Sequence, residues 1–238
     1  MRSKHARLDR FISYHKGISR RAVKPLLAQG RVRVDNLSTC SADTVIGEFT
    51  RVEIDDEVLQ AKQPRYLMMN KPAGVVSATH DAQHKTVIDL FSGEDVGDLH
   101  LAGRLDYNST GLLLLTNDGR WSRWLSDPRA GIVKRYRVTL RDPVTQPMIE
   151  AFQTGIHFPY EDLVTRPAAL NVVSAKAPYI ADVALGEGRY HQIKRMFGRF
   201  RNEVLALHRY AIGPYTLPVD LEPGQTRDVE PKLPSHWS

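Results

Sequence analysis

AGRLDYNSTGLLLLTNDG, residues 102–119, is the stretch on which the reading of the chain turns. Its second half holds Leu112 to Leu115, an uninterrupted apolar run closed by Asn117-Asp118-Gly119. A short apolar run bounded by turn residues predicts a buried strand. Its first half places Arg104 and Asp106 between Gly103 and Asn108, just before the chain enters a core. An aspartate there is either a turn residue or a reagent. Spacing alone favours the turn.

Outward from this stretch, strand-like runs are more numerous than helical ones. Arg65 to Gly74 reads as a strand followed by a turn containing Pro72 and Gly74. Apolar strand-like segments recur at 133–140, 169–173, 180–185 and 204–206. Helical patterns fall near Trp121–Leu125, Gln146–Gln153 and Tyr190–Arg199. Strands in the majority with a few helices predict an α+β fold. No internal repeat or low-complexity segment interrupts the chain.

The N-terminal part differs in composition. The 238 residues carry a net charge of +6. Residues 1–34 hold ten Lys or Arg against the single acid Asp9, a net of +9, so the remainder of the chain is slightly acidic. A basic cluster on a small structured module is the electrostatic footprint of phosphate binding; its bland counterpart is a solvated basic face. Leu8, Phe11, Ile12 and Tyr14 lie at helical spacing, closed by Gly17. Ser19 is placed to cap a second helix with Ala22, Val23, Leu26 and Leu27 on its apolar face and Gly30 as its stop. Pro25 is expected to bend that helix or delay its start. Arg31 to Val34 alternates like a strand, Asp35-Asn36 is a turn, and short strands follow at 44–46 and 49–54. Ala61 to Pro64 reads as a linker.

Composition excludes several classes. A hydrophobic content of 42% and charged content of 25% suit a soluble globular chain. One cysteine, Cys40, leaves no disulfide framework within the chain. No apolar signal segment follows the basic start, and no stretch approaches a membrane span, so a cytoplasmic protein is the default expectation; a monomer is the default for oligomeric state, on which the sequence is silent. None of the nine histidines stands in a recognisable metal-ligand spacing, so no metal or cofactor is expected.

Two further constellations carry chemistry. Lys134-Arg135-Tyr136-Arg137-Val138 alternates as a strand, and a tyrosine among basic residues could stack on a base; taken alone it is an ordinary half-buried strand residue. Gly186 to Phe197, GEGRYHQIKRMF, reads as a glycine loop entering a basic helix, whose first amides could hold an anion. It lacks Walker spacing, so nucleotide hydrolysis is not supported.

Taken in order, these motifs resemble a known family. RLDRFISYHKGISRRAVKPLLAQGRVRVDN resembles the S4 RNA-binding domain. GRLDYNSTGLLLLTNDG looks like the catalytic motif of rRNA pseudouridine synthases of the small-subunit (16S) group and their large-subunit relatives, and NKPAGVVS, KRYRV and GEGRYHQIKRMF look like that family's other signatures. The resemblance covers essentially residues 6–230. It implies an α+β architecture: an S4-like RNA-binding domain over 1–60, with two helices and short strands, then a catalytic domain over 61–238. The latter is built on a mixed, largely antiparallel sheet flanked by a few helices. It implies that Asp106 is the nucleophile, either adding to the nucleotide or drawing a C2′ proton to give a glycal-like intermediate. It implies that the target uridine is flipped out, with Arg104 filling the gap and Tyr136 stacking on the uracil. It implies that Lys194 pairs with Asp106 and keeps it charged, with Arg195 a competitor for that role. Arg189, His191, Gln192 and Arg195 would line the RNA path. In the first domain Arg7, Arg10, Lys16, Arg20, Arg21, Lys24, Arg31 and Arg33 would meet phosphates. The stretches GRWSRWLSDP, YRVTLRDPV and FQTGIHFPYEDLVTRPA favour a uridine of 16S rRNA, in the helix 18 region and within a ribosomal subunit precursor, over a 23S target. A non-catalytic rRNA-binding assembly factor remains the alternative outside the enzyme class. A glycosidase would need a second carboxylate across the bond, and Asp98 and Asp118 offer no clear partner role.

Overall fold

The computed structural model describes residues 5–38, 41–91 and 96–233. Cys40, Arg2 and Lys4, and the end of the C-terminal tail, lie outside these residues. The chain divides into two compact units at Pro64/Arg65. Among the described residues no helix is long and apolar enough to cross a membrane.

In the first unit, strand β1 (Ala6–Arg7) leads into helix α1 (Leu8–Lys16), then α2 (Arg20–Ala28), β2 (Val32–Val34), β3 (Val45–Ile46), β4 (Val52–Ile54) and β5 (Glu57–Gln60). β1 pairs with β3, and β2, β4 and β5 form an antiparallel sheet. Leu8, Ile12 and Val23 from the helices meet Val32, Val34, Ile46, Val52 and Ile54 in one small core. Gly17 ends α1 in the left-handed conformation, φ 64°, which glycine adopts without a Cβ penalty. Ser19 caps α2 by accepting from the Ala22 amide.

One expectation changes here. Tyr14 is 64% exposed and lies off the apolar face. Pro25 sits inside α2, which begins at Arg20 directly after its Ser19 cap, so its start is not delayed, and the Pro25 carbonyl accepts from the Gln29 amide at 3.0 Å. Residues 53–57, ahead of the linker, form a hairpin: Asp55 and Asp56 take positive φ values of 49° and 70° and turn β4 into β5. Two successive left-handed residues make the turn that matches strand twist.

The second unit is organised on one large sheet. Its elements are β6 (Tyr66–Lys71), β7 (His100–Leu101), β8 (Thr110–Thr116), α3 (Gly119–Ser126), β9 (Lys134–Leu140), α4 (Gln146–Thr154), β10 (His157–Phe158), β11 (Leu163–Val164), β12 (Ala169–Ser174), β13 (Tyr179–Leu185), α5 (Gln192–Gly198), β14 (Val204–Ile212), β15 (Tyr215–Thr216) and β16 (Thr226–Asp228). Their order is β12-β13-β9-β14-β8-β6-β16, with β7 on β8 and β15 on β14. Every pairing is antiparallel except β14 with β8, so the sheet is mixed as expected.

Leu112 to Leu115 in β8 are fully buried, and the reason is visible in the layers. Leu112 and Leu114 pack with Trp121, Trp124 and Leu125 of α3. Leu113 and Leu115 join Leu67, Met69, Val75 and Val87. A strand covered on both faces has no polar face to alternate with. In the other half of the sheet, Tyr136, Val138 and Leu140 of β9 share a core with Met148 and Phe152 of α4 and Ile193, Met196 and Phe197 of α5. That core fixes α5 against the strands that carry Tyr136.

Candidate active site

Asp106 stands on the loop between β7 and β8, and almost every residue of that loop is held from behind. The buried Ser77 hydroxyl donates to the Leu105 carbonyl at 2.7 Å and accepts from the Leu105 amide at 3.0 Å. The Leu105 side chain is itself buried. The Ser109 amide donates to the Asp106 carbonyl at 3.0 Å, closing the turn. Gly111 follows at φ 103°, and a Cβ there would overlap the Arg209 carbonyl, so only glycine fits.

Two buried cations complete this support. Lys71, at the end of β6, is 0% exposed. Its ammonium donates to the carbonyls of Pro72 (2.9 Å), Tyr107 (3.2 Å) and Ser109 (2.9 Å). Burial lowers its pKa to about 8, against the opposing pull of the Asp106 charge. Arg209 on β14 is 2% exposed and donates to the carbonyls of Leu112 (2.8 Å) and Arg104 (3.1 Å). Both were missed in the sequence. Lys71 ends an apolar strand in the quoted NKPAGVVS motif. Arg209 alternates with the buried Leu207 and Ala211, but the strand read as 204–206 runs on to Ile212.

From the opposite side, the start of α5 meets the carboxylate. The Lys194 ammonium is 3.1 Å from Asp106 Oδ2, and His191 Nε2 is 3.4 Å from Oδ1. The two residues are three apart on the first turn, so they share a face. His191 caps the helix at φ 47°, a conformation uncommon for a residue with a Cβ. Arg195, one position on, turns away: it donates to Glu161 Oε2 at 2.6 Å and lies 3.9 Å over the Phe158 ring. That hydrogen bond holds the Glu161 carboxyl below the usual carboxylate range. Of the two competing basic residues, Lys194 is the one beside Asp106.

The same loop corrects another expectation. Gln192 does not line an open path; it is 4% exposed and donates to the buried Glu187 at 2.7 Å. It also accepts from the Arg189 amide at 3.0 Å, while the Arg189 guanidinium reaches Glu187 at 3.0 Å. Gln192 is an internal brace of the turn that presents His191. Tyr136 is 7% exposed and shares the core of Leu105. Arg104 is exposed, with no partner for its guanidinium among the described residues.

In the first unit the eight expected phosphate contacts fall into two groups. Arg7 and Arg20 both grip Asp9, Arg20 at 2.7 Å, and the Arg20 bond holds that carboxyl below its usual range. Lys16 pairs with Glu57, Arg31 with Asp55, and Arg33 with Glu53 and Asp56. Arg10, Arg21 and Lys24 are exposed and have no acidic partner among the described residues.

Comparison with known proteins bears on what this site is. Residues 65–198 match the family described as RNA pseudouridylate synthase. The chain is 49% identical over 224 residues to the Ribosomal small subunit pseudouridine synthase A of Pseudomonas aeruginosa, covering 94% of this chain and 96% of that one. The proteins of the same name from Vibrio cholerae and Escherichia coli are each 40% identical, over 97% and 94% of this chain and 99% and 96% of theirs. A crystal structure of pseudouridylate synthase superposes with a TM-score of 0.67 at 36% identity, covering 94% of this chain and 96% of the other. The chain belongs to the RNA pseudouridylate synthase family.

Proposed function

We propose that this pseudouridine synthase isomerises a uridine of 16S rRNA, in the helix 18 region, with Asp106 as its nucleophile. One observation carries the assignment of Asp106. It is a partly exposed carboxylate, on a loop braced by Ser77, Lys71 and Arg209, with a cationic lysine and a histidine each facing one of its oxygens. Such bracing is what holding a reagent in a near-attack geometry requires. The names of the relatives support the small-subunit rRNA as substrate.

The reaction keeps every atom of the nucleotide. The N1–C1′ bond breaks, the uracil turns, a C5–C1′ bond forms, and the C5 proton is passed to N1. The reacting centre is inaccessible in a base stack, so the nucleotide is flipped out. Asp106 either adds to the detached sugar or takes the C2′ proton and returns it. Lys194 and His191 hold the carboxylate in orientation. Tyr136 forms a wall for the uracil, and the exposed Arg104 occupies the space that the base leaves. The first unit is read as an S4-like RNA-binding domain, in which Arg10, Arg21 and Lys24 are the cations ready to meet phosphate. The enzyme acts as a monomer on an rRNA of a subunit precursor.

The test is a pseudouridine map of rRNA from cells lacking the gene, restored with wild type or with Asp106→Asn. One lost 16S site, restored by wild type alone, is the expected result. A lost 23S site overturns the substrate, and equal rescue by both forms overturns the nucleophile.

A further inference from the structure

Tyr190 lies in the GEGRYHQIKRMF segment but has no part in the chemistry described above. It is 76% exposed, although it sits beside residues that reach Asp106. Its ring lies parallel to the His191 imidazole, with centroids 3.9 Å apart and an interplanar angle of 18°. His191 is the residue whose Nε2 faces Asp106 Oδ1. A solitary exposed tyrosine would need no explanation. This one continues a two-ring ledge that ends at the carboxylate.

The ledge is also fixed before any ligand arrives. The Gln192 amide donates to the Arg189 carbonyl at 3.2 Å, and the Gln192 side chain returns a bond from the Arg189 amide at 3.0 Å. Tyr190 is thus held in a closed turn anchored on the buried Glu187. One face of its ring is covered by His191 and the other is open. Ring faces offered in this way are what unpaired bases stack on, and such stacking tolerates any base. Flipping one nucleotide removes a stacking partner from its neighbour, which then gains from a substitute.

We propose that the open face of Tyr190 receives the base next to the flipped uridine, making Tyr190 a substrate-positioning residue. The proposal rests on the reading of Asp106 as the site of action on RNA. Its occupant is a nucleobase in a locally unpaired strand. The contact is to the ring and not to the hydroxyl.

The experiment uses the full chain and small-subunit rRNA, free and in particles, taken from cells lacking the gene. kcat/KM for pseudouridine formation is compared for wild type, Tyr190→Phe, Tyr190→Leu and Tyr190→Ala. Phenylalanine is expected to stay within about twofold, whereas leucine and alanine lose about tenfold or more, the scale of one lost base–aromatic stack. A readout independent of turnover is Tyr190→Trp in an Asp106→Asn background. Its fluorescence is expected to be quenched by the rRNA, beyond any change in the Asp106→Asn parent, and not by heparin. Leucine equal to wild type, or an unquenched tryptophan, overturns the proposal while leaving the site reading intact. A wild type that forms no pseudouridine in either substrate removes that reading, and the proposal with it.

Discussion

Lys71 allows a quantitative test of how the Asp106 loop is held. Its ammonium is fully buried and is bound by carbonyls alone. In the folded chain its pKa lies at about 8, below the ordinary lysine value of 10.5. Between these values the unfolded chain binds more protons than the folded one, so stability rises with pH. Below about pH 8 the cost of burying the charge is present in full; it is relieved as pH rises towards 10.5. The whole shift corresponds to about 3 kcal/mol, and the part recovered between pH 7 and pH 9.5 is about 2 kcal/mol. Lys71→Met removes this titration. It also strips the Pro72 and Ser109 carbonyls of the ammonium donor, whereas the Tyr107 carbonyl keeps the Gly74 amide. Each buried acceptor left without a partner costs about 1–3 kcal/mol. These terms oppose the relief of desolvation, so the difference at pH 7 alone decides nothing, and the pH slope does. Urea unfolding followed by the fluorescence of the buried Trp121 and Trp124 reports this unit. The wild type is expected to gain about 2 kcal/mol on Lys71→Met from pH 7 to pH 9.5. A difference that stays flat with pH refutes the reasoning. Asp106→Asn supplies a reciprocal check. Removing the charge that raises the Lys71 pKa moves the onset of the rise to lower pH.

Two further substitutions separate neighbours that look alike in sequence. Lys194→Met is expected to lower kcat about tenfold or more, on the scale of a lost charged positioning contact, yet to change stability by no more than about 1 kcal/mol, because the pair is part-exposed. Arg195→Met, which removes the contacts to Glu161, the Phe158 ring and the Tyr190 carbonyl but none to Asp106, leaves kcat near wild type; the reverse order in single-turnover assays would reassign the partner of Asp106. In the first unit, replacing Arg10, Arg21 and Lys24 together by alanine is expected to reduce the salt slope of rRNA binding by about 2 units, near 0.7 for each phosphate contact. Replacing the acid-paired Arg31 and Arg33 is expected to change that slope less. Filter binding between low and high salt distinguishes the two groups, and equal losses would show that the acid partners are displaced on binding.

The sequence showed what local rules control. Gly17 and Gly30 end helices because the chain needs a left-handed residue there. Leu112 to Leu115 identify a strand buried on both faces. The missed features depend on distance through space. Lys16 meets Glu57 from 41 residues away, so an excess of positive charge in residues 1–34 reads as free charge although much of it is paired. Lys71 and Arg209 look like surface residues in any hydropathy pattern, because their acceptors are main-chain carbonyls that no pattern contains. Lys194 and Arg195 could not be told apart without the phase of α5, which the left-handed His191 sets. Gln192 fell inside the same basic motif, yet the buried Glu187 draws it inward.

The stretch that decides the fold is also the one that positions Asp106, and a single residue shows why. Arg209 donates to the Leu112 carbonyl within the core strand and to the Arg104 carbonyl in the loop before Asp106. The Arg209 backbone can lie this close to β8 because position 111 has no Cβ. One guanidinium therefore ties the register of β8 to the height of Asp106 above the sheet. A shift of one residue in β8 would place a different carbonyl beneath it and exchange the two buried leucine faces. It would also move the carboxylate away from Lys194 and His191. The apolar run that looked easy to explain and the aspartate that looked odd are consequences of the same pairing. The rigidity that the core imposes on β8 is what lets a loop residue keep a fixed position beside Lys194 and His191.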